Sequence, residues 1–321
     1  MHMGNELLST PVQVGFGIVS AGAIGVAAGR LRQKLDTSRV PLMGVLGAFV
    51  FAAQMVNFPI GFGASGHFVG SVLLAIILGP DAALLTMASI LVIQCLIFQD
   101  GGILALGCNI FNMGVIPSYL GAWIYHSIVG QSPATHGRVY LGSFLASLAV
   151  VPLGAVAAAL QVSVSGISDA PLSKLLLFIV GVHILIGIGE GVITFGVLCL
   201  LSRARPELAG LRAGSEGVSV RAVVASIGIA AGVIAAFLSL VASSLPDGLE
   251  HTLEAFHIKP ESVAADAFQS KIALFPDYTL RGSEAAVWTG VAGIVGTAVT
   301  LGLVYLIARV IVRKSSASRV H

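Results

Sequence analysis

Residues 172–201 read LSKLLLFIVGVHILIGIGEGVITFGVLCLL. Only Lys174 and Glu190 carry a formal charge in this run. A bilayer-spanning helix needs about 20 predominantly apolar residues, so the run is long enough to cross a membrane with turns to spare. An amphipathic surface helix would carry a polar stripe, and none is present. The stretch reads as a transmembrane helix, with Gly187-Ile188-Gly189-Glu190-Gly191 as the expected place for a break or kink.

The rest of the chain has the same character. Of its 321 residues, 56% are hydrophobic and 10% charged, where soluble domains carry about 25% charged residues. Mean hydropathy is +0.96. Nine apolar runs are expected to cross, at 11–29, 41–58, 64–79, 82–99, 104–128, 139–163, 172–201, 222–244 and 285–308. The predicted fold class is an all-α polytopic membrane protein. Cys95, Cys108 and Cys199 lie in apolar runs, so they read as packing residues and not as a disulfide framework.

Charge distribution predicts orientation. MHMGNELLST, residues 1–10, has no Lys or Arg, so no cleaved signal peptide is expected. Arg30, Arg32, Lys34 and Arg39 follow the first run. Counting from an outward N-terminus, the inner segments also hold Arg138, Arg203, Arg205, Arg212, Arg221, Arg309, Arg313, Lys314 and Arg319. That is 13 of the 17 basic residues, which predicts an N-out, C-in protein of the cell inner (plasma) membrane.

Segment 202–221, SRARPELAGLRAGSEGVSVR, is polar and rich in Gly and Arg. It reads as a cytoplasmic linker between a domain of about seven spans, residues 1–201, and a two-span unit, residues 222–321. The outer loop of that unit, 245–284, holds Asp247, Glu250, Glu254, Glu261, Asp266, Asp277 and Glu284 against Lys259, Lys271 and Arg281. Such an acidic loop concentrates cations.

The chain starts Met1-His2. Because His2 is bulky, Met1 is expected to be retained. A terminal amine, the His2 amide and the His2 imidazole offer three nitrogens in compact chelate rings, and a fourth would complete a square-planar set suited to Ni(II) or Cu(II). His67, in Gly61-Phe62-Gly63-Ala64-Ser65-Gly66-His67, is predicted on the same membrane side and is the candidate fourth donor. The alternative is a hydrogen-bonded interface histidine. His183 and Glu190, seven residues apart in the seventh run, read either as a proton relay or as an interhelical packing pair. Asp100, Asn109 and Asn112 surround Gly101-Gly102 and read as loop-ordering residues or as partners that orient a ligand. Ala21, Gly25 and Gly29 form a small-residue stripe, either an internal seam or a docking face. His251 and His257 in the outer loop could scavenge metal.

Several chemistries find no motif. There is no Gly-Lys dipeptide, hence no Walker A loop, and no H-E-x-x-H or G-x-S-x-G. An intramembrane metalloenzyme would need a general base near His67, and none is evident on the outer side.

Met1-His2, Val40-Pro41-Leu42-Met43-Gly44-Val45-Leu46, Phe51-Ala52-Ala53-Gln54-Met55-Val56-Asn57-Phe58-Pro59, Ser65-Gly66-His67, Asp100-Gly101-Gly102, Asn109-Ile110-Phe111-Asn112-Met113 and His183-Ile184-Leu185-Ile186-Gly187-Ile188-Gly189-Glu190 occur in that order. Together they resemble the CbiM/NikM type of cobalt/nickel substrate-capture (S) component of energy-coupling factor transporters, over residues 1–201. Residues 222–308, with Pro246-Asp247-Gly248-Leu249-Glu250, resemble the two-span CbiN/NikN or PDGLE unit. The resemblance implies a seven-helix S-component bundle with a two-helix C-terminal unit. It implies Ni2+ or Co2+ as transported substrate, held by the Met1 amine, the His2 backbone and side-chain nitrogens, and His67. It also implies a transmembrane coupling (T) subunit and two ATPase subunits as partners, with no cofactor, no nucleic acid and no enzymatic activity of its own. After His2 the chain departs from the family's usual acidic, Gly-containing stretch, with Met3-Gly4-Asn5-Glu6. The competing reading is a proton-coupled secondary metal transporter using His183 and Glu190.

Overall fold

The computed structural model describes residues 2–34, 39–130, 135–167, 170–209, 218–258, 262–283 and 285–317. Among the described residues the regular structure is helical apart from one small antiparallel hairpin. Its helices are α1 (Thr10–Lys34), α2 (Val40–Gln54), α3 (Ser71–Leu78), α4 (Pro80–Phe98), α5 (Leu106–Ile110), α6 (Ile116–Val129), α7 (His136–Ser165), α8 (Leu172–Ala204), α9 (Val220–Ala236), α10 (Gly248–Ala255), α11 (Ala264–Ile272) and α12 (Val287–Ala317). The hairpin strands are β1 (Phe58–Gly61) and β2 (Ala64–Gly66). Six stretches among the described residues are helical, long and apolar enough to cross a membrane, and α2 is a shorter apolar helix. The chain is a multi-pass, all-α membrane protein.

Three expected spans take a different form. The third, 64–79, is no full-length helix: β2 and an extended stretch lead into α3, which has eight residues, or about 12 Å of rise. Gly70 at φ 80° starts it, and Gly79 at φ 87° with Pro80 at the next position ends it. The fifth, 104–128, is assembled from α5, a π turn at Phe111–Val115 and α6. The seventh does not break. α8 runs unbroken through Gly187–Gly191, whose glycines serve close packing: a Cβ on Gly187 would stand 3.3 Å from the Leu148 backbone, and one on Gly191 2.6 Å from the Phe144 ring. Helical glycine costs about 1 kcal/mol. Close approach to α7 offsets that cost.

Polar pairs mark the two ends of the bundle. Arg30 near the end of α1 lies 3.8 Å from Asp81 at the start of α4, and Tyr119 donates to the same carboxylate at 2.7 Å. At the opposite end His2 meets Asp100, just past α4. The C-terminal unit packs on the first domain: α9 and α12 lie against α2, with Ala231 and Ala235 buried against Ala48 and Ala52. A Cβ on Gly296 of α12 would collide with the Phe51 ring.

The segment between α9 and α12 folds over the His2 end as a strap. Ser65 N–H donates to Pro246 O at 2.8 Å, Ser243 N–H to Asn57 O at 2.8 Å and Phe275 N–H to Ile97 O at 3.0 Å. α10 starts with a capping box: Asp247 Oδ1 accepts from the Leu249 and Glu250 amides, and Glu250 accepts from the Asp247 amide.

The small-residue stripe on α1 is no internal seam. Nothing within the chain, among the described residues, stands within 4 Å of a Cβ placed on Gly25 or Gly29.

Candidate metal-capture site

The N-terminal segment threads into the bundle and is pinned at Met3 and Asn5. Met3 exchanges two hydrogen bonds with the Asn109 side chain, N–H to Oδ1 at 2.9 Å and Nδ2–H to the Met3 carbonyl at 3.1 Å. Gly102 N–H donates to the same carbonyl at 2.9 Å. Asn5 Oδ1 accepts from Leu104 N–H, while its Nδ2 donates to Asp266 and Gln269 of the strap at 2.7 and 3.0 Å. Gln13 Nε2 donates to the carbonyls of Asn5 and Leu8. The segment passes so close to Gly102 that a Cβ there would stand 2.3 Å from Asn5 N. Polar side chains thus stand in for the ladder partners that a buried extended backbone lacks.

This pinning brings His2 to His67. Their rings stack with centroids 5.5 Å apart and planes inclined by 17°. Both are largely buried, His67 at 7% exposure. His2 Nε2 lies 3.1 Å from Gln94 Oε1, and Nδ1 lies 3.0 Å from Asp100 Oδ1. Gln94 Nε2 donates to Gln54 Oε1 at 2.7 Å, and Gln54 Nε2 donates to Val69 O at 2.7 Å. An amide chain therefore links His2 to the His67 loop. Gln94 Oε1 and the Asp100 carboxylate are both acceptors, so a neutral ring that donates Nε2–H to Gln94 has its Nδ1 lone pair, the one a metal would take, turned toward Asp100 with no proton between them. A cation on Nδ1 would displace the Asp100 contact. Burial is the main cause holding the His2 imidazole below its ordinary pKa, and the Asp100 carboxylate only partly offsets it. His2 is therefore poised neutral.

Glu190 supports the His67 loop from α8. Its carboxyl, 1% exposed, accepts from Val69 N–H at 2.6 Å and Gly70 N–H at 2.9 Å. His183 lies 1% exposed, with Nδ1 2.7 Å from Ile179 O.

A cavity of about 420 Å³ opens above the site, lined by His2 and by the acids Glu6, Asp100, Asp247, Glu250, Asp266 and Asp277, with no Lys or Arg among the described lining residues. Four of those six acids, Asp247, Glu250, Asp266 and Asp277, come from the strap. The anticipated partner Asn109 does orient the N-terminus. Asn112 does not, because it pairs its amide with Gln161 at 2.8 and 3.0 Å. His251 packs on Phe178, ring centroids 5.5 Å apart. Met1 lies outside the described residues. Among those described, no three His, Cys, Asp or Glu side chains converge as a ready-made metal cage.

The sequence reading did not place Gln54, Gln94, Asp247 or Gln269 beside His2 and His67. Glutamines inside apolar runs were the available signal for the first two, since polar groups at membrane depth need a reason. The D-x-x-E spacing of Asp247 and Glu250 was the signal for the third.

Residues 2–208 match the family described as the cobalt uptake substrate-specific transmembrane region, CbiM, and residues 221–313 match the PDGLE domain. A relative from Archaeoglobus fulgidus, whose name assigns it to fused nickel transport (NikMN), is 35% identical over 310 residues, 96% of this chain and 98% of the relative. The fused nickel transport protein NikMN of Rhodobacter capsulatus is 33% identical over 196 residues, 57% of this chain and 56% of the relative. The crystal structure of a truncated transition metal transporter superposes with a TM-score of 0.56 at 31% identity, covering 63% of this chain and 98% of that one. On these matches the chain belongs to the CbiM family of cobalt-uptake substrate-specific transmembrane proteins and carries a C-terminal PDGLE domain.

Proposed function

We propose that this chain is the substrate-specific membrane subunit that captures Ni2+ or Co2+ for ATP-driven uptake by an energy-coupling factor transporter. A transmembrane coupling subunit and two ATPase subunits complete the assembly. The N-terminus and strap face outward and the C-terminus faces the cytoplasm. The capture domain comprises residues 1–201, the linker 202–221 and the PDGLE unit 222–321. The ligands are the Met1 amine, the His2 amide and imidazole nitrogens, and His67.

The observation that carries this reading is the stacking of His2 on His67. It requires the short N-terminal segment, whose regular structure is a single 3-10 turn at Asn5–Leu7, to be threaded into the bundle and pinned at Met3 and Asn5. An N4 set of amine, amide and two imidazoles suits nickel by geometry and can also take cobalt. The acid-lined cavity above it supplies the long-range attraction. Binding releases protons from the amine and amide, so capture weakens in acid.

Metal analysis of purified protein tests it. Wild type should hold Ni2+ or Co2+. His2→Ala, His67→Ala and a variant with one residue added before Met1 should each lose high-affinity binding. Normal binding by the extended variant would remove the terminal amine from the ligand set.

A further inference from the structure

His183 has one ring nitrogen satisfied and one not. Nδ1 donates to Ile179 O at 2.7 Å, which fixes the tautomer and leaves the lone pair on Nε2. Nε2 is buried and has no hydrogen-bond partner among the described residues. A buried polar atom without a partner costs free energy and calls for an explanation. An imidazole whose other N–H is tied to a backbone carbonyl is the arrangement that orients metal-ligating histidines.

The surroundings supply the rest. His183 lines a small cavity together with His67 and Asp247. Its volume is about 10 Å³, roughly what one water-sized particle needs. Asp247 also lines the large acidic cavity, so it stands where the two meet. His183 comes eleven residues after Leu172 on α8, about 16 Å along the helix. The strap closes the cavity: the site of a Cβ on Gly248 lies 2.8 Å from His183 Cε1.

We infer that His183 Nε2, His67 and the Asp247 carboxylate form a second position for the transported divalent cation, deeper than the N-terminal chelate and sharing His67 with it. This inference rests on the capture reading above. Sharing one imidazole makes the two positions alternatives: the cation leaves the amine, the amide and the His2 imidazole, the amide nitrogen takes back from water the proton it lost on capture, and His183 Nε2 and the Asp247 carboxylate replace them while His67 stays bound. The three donors are not converged in this structure; with the His183 ring held by Ile179 O, the second position requires the His67 and Asp247 side chains to turn toward Nε2. The orphaned nitrogen is then a donor held ready, and the PDGLE strap is part of the site because it contributes Asp247 and the Gly248 wall.

Ni2+ titration of the full chain in detergent tests this in a His2→Ala background, where the capture chelate is broken. The expected result is residual Ni2+ binding, weaker than wild type, that falls by about tenfold or more on adding His183→Gln. Glutamine keeps a donor for Ile179 O but offers no imidazole. Gly248→Ala in the same background should do likewise by pushing a methyl group into His183, and it removes no ligand side chain. Residual binding unaffected by either change, or no residual binding in His2→Ala, overturns the inference. Wild-type protein that binds no Ni2+ or Co2+, or His2→Ala that binds as tightly as wild type, would instead sink the capture reading itself.

Discussion

Glu190 holds the loop that carries His67: its carboxyl takes the Val69 amide at 2.6 Å and the Gly70 amide at 2.9 Å, from a position 1% exposed. The pair joins the middle of α8 to the start of α3. Glu190→Ala leaves two buried N–H groups without an acceptor, each worth about 1–3 kcal/mol. The expected loss is about 2–6 kcal/mol of stability, together with weaker Ni2+ binding. Glu190→Gln keeps one acceptor oxygen and should fall between the two on both measures. A proton relay would make glutamine as damaging to uptake as alanine while sparing stability. Thermal unfolding in detergent beside metal titration separates the two roles.

Gly102→Ala should damage the site and spare the bundle. Its methyl would stand 2.3 Å from Asn5 N and 2.5 Å from Asn5 Oδ1, and neither partner is the free end of a flexible chain. The N-terminal segment must lift, taking His2 away from His67. Metal affinity should drop by an order of magnitude or more, as for loss of a residue that orients a ligand, with little change in the melting of the helices. Wild-type affinity in Gly102→Ala would mean that docking of residues 3–5 does not govern capture.

The membrane class, most of the crossing helices and the meeting of His2 with His67 were legible in the residues. Long apolar runs leave no other fold, and two histidines predicted on one membrane side did meet. Segment 64–79 was misread because its apolar count matches a span, whereas Gly70, Gly79 and Pro80 limit the helix to eight residues. The glycines at 187–191 were misread because sequence does not reveal whether a missing side chain frees a backbone or lets a neighbouring helix approach. Asp247 was read only as one acid of a cation-concentrating loop because it lies 180 residues from His67, and only tertiary folding of the strap makes them neighbours.

Gln269 is the clip between strap and terminus. Its Nε2 donates to Cys95 O at 2.9 Å and Gly101 O at 2.7 Å, and its Oε1 accepts from Asn5 and Ile103. Gln269→Ala strands several of these groups, at about 1–3 kcal/mol each where they stay buried. The strap should then open more often, and bound Ni2+ should exchange faster with an external chelator at nearly unchanged bundle stability. Deleting residues 222–321 is expected to impair uptake further. Unchanged uptake after that deletion would show that the PDGLE unit neither loads nor retains the metal.

Acid should undock the N-terminus before it unfolds the protein. Burial lowers the pKa of docked His2 beneath its ordinary value of 6.5. The undocked segment therefore binds a proton near that value while the docked one does not. Docking is at full strength above about pH 6.5 and is lost as pH falls below it, at about 1.4 kcal/mol per pH unit until the docked imidazole also titrates. The Met3 amide, bonded to Asn109 Oδ1, reports this directly. In metal-free protein its hydrogen-exchange protection factor, corrected for intrinsic rate, should fall between pH 7.5 and 5. Amides in the middle of α4 should keep theirs. In His2→Ala the slope should vanish. A protection factor independent of pH in wild type would mean that His2 is not titrating on undocking.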